Sequence, residues 1–328
     1  MGKINYIEGT GIPPRSFDQE FLTHKKCSEW WYCTGYLEDG KGSLFGFQFT
    51  LAKISLFGLR PHLLICSVTD FRDNKHYNTQ TPILFHKGVS ATSDLLSVDG
   101  KASMSFSPDN LSSKGKMQLE MSGPSFSLEA SLDASKPPVW HCDNGVLQMG
   151  IQGDKEKTYY YSFTNIKAAA SLALNGETFS DLHGKAWFDR QGGTYTITDP
   201  RTCWEWLSLR FFDNTEAMIF AFPQDNYYDG TFIAQDGARE RLNNYKLEAI
   251  DVITYEGKKF SNGWKLEMKS KKYSIEPKAS GMFNVFFFEL LADIKDESSQ
   301  AVGYCFVELL PGVRNKLNNL DALKKKKG

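Results

Sequence analysis

The chain is predicted to be all-β, and two observations carry that expectation. Alternating or aromatic-rich segments recur along almost its whole length, and turn-forming Asn-Gly, Asp-Gly and Glu-Gly steps separate them. Convincing helical periodicity is nearly absent, the best candidates being Ala238–Asn244 and the Asn315–Lys327 tail. At 328 residues the chain is long enough for two domains or one unusually large β domain. Many strands and no long linker suggest sandwiches or closed barrels, which also remove sheet edges.

Strands are expected at residues 29–37, 43–52, 62–70, 115–121, 125–132, 158–163, 185–189 and 204–212. Others follow at 217–222, 230–234, 246–255, 263–268, 283–294 and 302–309. The seam between domains is placed in the Thr-, Gly- and Pro-containing stretch Gly192–Arg201, giving domains 1–197 and 198–328.

Composition narrows the functions. A net charge of −1, with no basic stripe, disfavours nucleic acid and anionic membranes as partners. The run Lys324-Lys325-Lys326-Lys327 reads as a solvated end. No apolar stretch has signal-peptide or membrane-span length, so a cytoplasmic protein without stable membrane insertion is expected. Six scattered cysteines (27, 33, 66, 142, 203 and 305) with no CxxC suggest reduced thiols rather than disulfides or zinc. An aromatic share of 14% suits cavities that accept apolar ligands. Phosphate-cradling loops, a dinucleotide fingerprint, HExxH and GxSxG are missing, so hydride transfer, phosphoryl transfer and serine hydrolysis lose support. No cofactor or metal is expected.

The most informative segment is Ser28-Glu29-Trp30-Trp31-Tyr32-Cys33-Thr34-Gly35-Tyr36. Strand alternation puts Glu29 on the face of Trp31 and Tyr32 on that of Trp30. A carboxylate beside an indole on a buried wall has its pKa raised and becomes an acid; the alternative is a core strand with a solvated Glu at its start. The second segment is Gly184-Lys185-Ala186-Trp187-Phe188-Asp189-Arg190, in which Trp187 and Asp189 share a face. A carboxyl held against aromatic surface can stay protonated and donate. The competing reading pairs Asp189 with Arg190 as a brace.

Trp204-Glu205-Trp206 puts two indoles on one face, and Tyr159-Tyr160-Tyr161 alternates phenols that pack or position a ligand. His62 reads as a hydrogen-bonded wall residue. His141-Cys142-Asp143 looks ligand-like, but neighbours on an extended chain point apart, which disfavours a metal site.

These segments together resemble the AttH/CrtC-type family. Glu29 to Leu37 is similar to its EWWYxTGxL signature, Gly184 to Asp189 to its GxAWxD, and Trp204 to Leu209 to its WDWFSL. Phe45-Gly46-Phe47-Gln48-Phe49-Thr50, Lys136-Pro137-Pro138 and Tyr160-Tyr161-Ser162 fall in family order, as does the closing Gly303–Leu309 segment. The resemblance spans about residues 24 to 312 and implies two lipocalin-like, calycin-type antiparallel β-barrels packed together. It further implies a hydrophobic small-molecule substrate, a terpenoid or polyketide, in an apolar cavity.

In the family's carotenoid hydratases the Asp of a Tyr-x-Asp motif protonates an isolated alkene. That Asp falls on Asp189, with Trp187 in place of the Tyr. The hydratases' His-x-Trp pair falls on Tyr159 and Tyr161, so neither residue is kept. Cyclisation therefore stands beside hydration. Asp189 is the expected acid, with Glu29 a second acid or a partner that orients it. Trp31, Tyr159, Tyr161, Trp187, Trp204, Trp206 and His62 are the expected substrate-binding residues. A pericyclic cyclase acting by shape, a non-catalytic carrier, and motifs that only glue domains together are the alternatives.

Overall fold

The computed structural model describes residues 16–24, 27–55, 60–84, 88–107, 115–149, 157–193, 204–223, 226–255, 258–278, 282–284 and 287–310. The chain divides into two compact units, residues 1–147 with 155–195 and residues 148–154 with 196–328. The expected 197/198 boundary, Cys203, the Asn315–Lys327 helix candidate and the lysine run lie outside the described residues.

The first unit opens with a short helix, α1 (Phe17–Phe21), whose Ser16 and Gln19 form a reciprocal capping box. Then come β1 (Ser28–Glu38), β2 (Leu44–Lys53), β3 (His62–Asp70), β4 (Lys75–Ile83), β5 (Val89–Ala91), β6 (Leu95–Val98) and β7 (Ala102–Phe106). There follow β8 (Lys116–Gly123), β9 (Phe126–Ala134), β10 (Val139–Trp140), β11 (Val146–Gln148), β12 (Lys157–Leu174) and β13 (Glu177–Gly193). They form one 13-stranded sheet in the order β4-β3-β2-β1-β13-β12-β9-β8-β7-β6-β5, with β10 and β11 also on β12. β3 and β4 come back to contact β8, so the sheet curls into a half-barrel.

Patterning explains the curl. In β8 and β9 every second residue is buried: Met117, Leu119 and Met121, then Phe126, Leu128, Ala130, Leu132 and Ala134. Those strands show one face to a core and one to water. β1, β2, β3 and the adjoining stretches of β12 and β13 are buried on both faces. The concave face carries Trp31, Phe47, Phe49, Leu51, Phe163 and Phe188 into one apolar cluster. The other face carries Thr34, Gln48, Thr50, Ser67, Thr158, Ser162, Asp189 and Gln191, all buried. Buried polar groups need partners, and Gln48 donates to Thr50 Oγ1, Ser67 to Gln48 Oε1, and Gln191 to Thr158 Oγ1.

A β-bulge between Phe163 and Ile166 inserts one residue opposite β13. It keeps the apolar residues inward: Tyr161 and Phe163 before it, Ile166, Ala168 and Leu172 after it, all join the core.

The second unit holds β14 (Trp204–Phe211), β15 (Glu216–Phe222), β16 (Tyr227–Ile233), β17 (Arg239–Arg241), β18 (Tyr245–Ala249) and β19 (Val252–Tyr255). β20 (Lys258–Ser261), β21 (Trp264–Met268), β22 (Lys271–Pro277), β23 (Met282–Asn284), β24 (Phe287–Lys295) and β25 (Ala301–Leu310) complete it. A 10-stranded antiparallel sheet runs β17-β16-β15-β14-β25-β24-β22-β21-β18, with β23 on β24, and β19-β20 stands as a separate hairpin. Its core gathers Leu207, Leu209, Ile219, Trp264, Ile275, Phe288 and Val307. The expected helix at Ala238–Asn244 is instead β17, laddered to β16. Arg239, Glu240 and Arg241 are all exposed and give a helix no apolar stripe to bury.

Candidate active site

Register decides which candidates meet. Asp189 pairs with Tyr32 on β1 and with Ser162 on β12, so these three side chains share the polar buried face. Trp31 pairs with Arg190, one residue on, and both turn to the concave face.

Asp189 is 4% exposed. Its Oδ1 accepts from Trp187 Nε1 at 2.5 Å and from Ser162 Oγ. Ser162 Oγ in turn lies 2.7 Å from Nε2 of His141, which is wholly buried. The His141 ring stacks on Trp187, with centroids 6.1 Å apart and planes 7° apart, and lies 4.5 Å from the ring of Tyr160. Two side chains thus meet on one carboxyl oxygen, and His141 stands behind both.

His141 arrives from the turn after β10. Its backbone N–H donates to Tyr160 O at 3.0 Å, and its carbonyl accepts from Gly145 N at 2.6 Å. Cys142 and Asn144 hold positive φ of 52° and 49° in that turn. Such backbone is uncommon outside glycine and concentrates at functional sites. Sequence reading weighed His141 only as a metal ligand and missed Ser162 and Tyr32. Among the described residues no group of three His, Cys, Asp or Glu side chains could hold a metal.

The suggested Asp189–Arg190 brace does not form. Arg190 crosses to the concave face, where its guanidinium lies 4.3 Å from the Trp31 ring and 2.5 Å from Glu29 Oε2. It also donates to Phe21 O at 3.2 Å and Leu22 O at 2.8 Å, and Trp31 Nε1 donates to Phe21 O at 2.9 Å. The segment around α1 is thereby tied to the sheet.

Glu29 is the correction this brings. Burial would raise its pKa, but Arg190, His24 at 3.0 Å and Lys53 outweigh that and hold the carboxyl far below the usual range. Glu29 is a fixed anion with no proton to give near neutrality. It stands on the opposite face from Asp189, so it cannot orient that residue either.

The other expected lining residues separate in the same way. Tyr161 packs on the concave side against Phe17 (5.0 Å) and Trp140 (5.2 Å), and burial pushes its phenol far above the ordinary value. Tyr159 shares its face by alternation, and with Trp31 both belong with the core rather than with Asp189. His62 pairs with Lys53, which pairs with Glu29, so it stands in the row of the ionic cluster. Of the expected lining, Trp187 touches Asp189, its Nε1 donating to Oδ1. Trp204 and Trp206 stand in the second unit, on the face of β14 opposite Leu207 and Leu209. Trp204 Nε1 there donates to Glu308 Oε1 at 3.0 Å.

The second unit holds a related arrangement that sequence reading passed over. Half-buried Glu205 accepts from Ser261 Oγ at 2.6 Å and Trp264 Nε1 at 2.9 Å, again one hydroxyl and one indole. Burial pushes its carboxyl above the ordinary 4.5, and the two hydrogen bonds draw it partly back. A raised carboxyl stabilises the fold fully below its ordinary value, and that contribution disappears as pH rises through the folded value. Raising the pH above the ordinary 4.5 should therefore lower the melting temperature of the wild type relative to Glu205→Gln, so that the two slopes differ. Equal slopes in melts of both proteins would contradict the assignment.

A profile of the AttH-like family matches residues 10–310 of the chain. No curated protein sequence matches it at a significant level. Among solved structures, an AttH protein of Nitrosomonas europaea superposes with a TM-score of 0.80 at 19% identity, over 94% of this chain and 99% of that one. Kievitone hydratase of Nectria haematococca gives 0.69 at 16% identity, over 91% and 93%. CghA with Sch210972 gives 0.53 at 11%, over 87% and 88%. These likenesses carry the lipocalin-like fold across both units, and with the profile spanning nearly its whole length, the chain belongs to the AttH-like family.

Proposed function

We propose that the protein is a cofactor-free enzyme of natural-product metabolism that protonates an alkene of a hydrophobic terpenoid or polyketide. The observation that carries this reading is the Asp189 carboxyl, sheltered from solvent, apart from the Arg190 guanidinium and fixed by two donors on one oxygen. With Oδ1 accepting twice, Oδ2 is the oxygen that would carry and deliver the proton.

Transfer of that proton to an alkene carbon leaves a tertiary cation and the Asp189 carboxylate. Water adds to the cation and returns a proton to Asp189, giving an alcohol. Alternatively an internal double bond closes a ring and a C–H proton returns. Either course regenerates the acid. The Trp187 ring beside the carboxyl can hold developing positive charge, by about 0.5–2 kcal/mol. A hydratase, and CghA crystallised with Sch210972, among the structural neighbours support the class of reaction and leave the substrate open.

The test is incubation with a panel of linear alkene-bearing terpenoids and polyketides in deuterated water. The expected product carries one solvent-derived deuterium on carbon, absent with Asp189→Asn. A product without deuterium would indicate cyclisation by shape alone, and binding without conversion a carrier; either result overturns the acid mechanism.

A further inference from the structure

We infer that His141 is the positioning residue of this site, aiming both hydrogen-bond donors at Asp189 Oδ1 and so confining the acid proton to Oδ2. The inference rests on the reading of Asp189 as the acid, and it adds a residue to which no role has been given.

The argument is one of donors and acceptors. An indole N–H can only donate, so Asp189 Oδ1 is an acceptor toward Trp187. Ser162 has a single hydroxyl proton, and that proton goes to the same oxygen. The 2.7 Å contact between Ser162 Oγ and His141 Nε2 must then be a donation from the imidazole N–H. With an N–H bonded to one lone pair of Oγ, the hydroxyl is restrained from turning away from Asp189.

The other donor is steadied by the same ring, because His141 lies parallel to the Trp187 indole. One imidazole therefore governs both groups that bind Oδ1. Its own place is set by the turn with positive φ at Cys142 and Asn144 and by the backbone bonds to Tyr160 and Gly145. The local cost of that turn is understandable if the ring must stand in one orientation.

Among the described residues of the first unit, Tyr32 from β1 and Tyr160 from β12 are titratable groups on this face near the carboxyl, besides His141 itself, with Tyr36 and Lys185 farther along it. Arg190 contributes to the opposite face. Hydrogen bonds to a carboxylate favour its ionised form, so removing a donor should raise the Asp189 midpoint.

Two variants separate positioning from mere packing. His141→Phe keeps a ring against Trp187 but has no donor, and His141→Gln keeps an N–H without the ring. The first readout does not need turnover: carboxyl 13C shifts of Asp189 are titrated by NMR, with the resonance assigned by its loss in Asp189→Asn. His141→Phe should raise the midpoint by about one pH unit, as should Ser162→Ala, and the double variant should go no further. His141→Gln should return most of the way.

The second readout is kinetic, on any substrate found in deuterated water. His141→Phe should lower kcat by about 10–100-fold with KM nearly unchanged, with partial rescue in His141→Gln. An unmoved midpoint in His141→Phe, or shifts that add in the double variant, overturns the inference even if the wild type is active. Moved midpoints in a protein that converts no substrate leave the positioning intact and overturn the acid mechanism instead.

Discussion

Asp189→Asn is expected to reduce turnover by about 10²–10⁴-fold, the range attached to loss of a general acid. The amide is nearly isosteric, and its oxygen can still accept from Trp187 and Ser162 as Asp189 Oδ1 does now. The transferable carboxyl proton disappears. Melting temperature should stay within about 3 °C of wild type, since Trp187 Nε1 and Ser162 Oγ both keep their acceptor. Ligand binding, measured by quenching of tryptophan fluorescence, should change little. A carrier would show no turnover to lose, and a purely structural carboxyl would show a large drop in melting temperature. Rates and melts on the same preparation therefore separate three readings.

Arg190→Met is expected to have the largest effect on stability, a loss of about 3–5 kcal/mol, the usual result of breaking one side of a buried ion pair. Arg190 is wholly buried and satisfies Glu29 together with the carbonyls of Phe21, Leu22 and Gln191. Methionine fills much of its volume but leaves those oxygens short of donors, and Trp31 loses the cation above its ring. At roughly 2–4 °C per kcal/mol the melting temperature should fall on the order of 10 °C. Adding Glu29→Gln should recover part of the loss by removing the uncompensated charge, a coupling that a double-mutant cycle would reveal. A shift of under about 2 °C in Arg190→Met would show the cluster to be incidental.

Much of the architecture was legible because apolar residues alternate cleanly in most strands, with turn residues between them. Several stretches escaped, β5, β6, β7, β17 and β22 among them, and two others show why. Lys167 to Leu174 is rich in alanine, a poor strand former, yet it continues β12 as far as the Asn175-Gly176 turn. Only the ladder to β9 and β13 makes it a strand. β4 escaped because its residues are mostly polar and half-buried or exposed, so it presents no apolar repeat.

The site was half legible for a physical reason. Alternation within one strand is local, so Trp187 and Asp189 were correctly put on one face. Alternation says nothing about how β1 lies against β13, and a shift of one residue exchanges every facing pair. Trp31 meets Arg190, not Asp189, because of that register. His141 was invisible as a partner of Ser162 and Trp187 because a turn with positive φ delivers it, and no periodicity announces such a turn.

The margin of the first sheet has a bearing on how the molecule behaves in crowded solution. β4 is the terminal strand of its ladder, and Pro82 within it carries no amide hydrogen, while Lys75 at its start presents an exposed ammonium. Another chain trying to extend the sheet there would meet a missing donor and a hydrated charge. The border is a poor template for fibril growth, which lets a curled sheet remain unclosed without recruiting its neighbours.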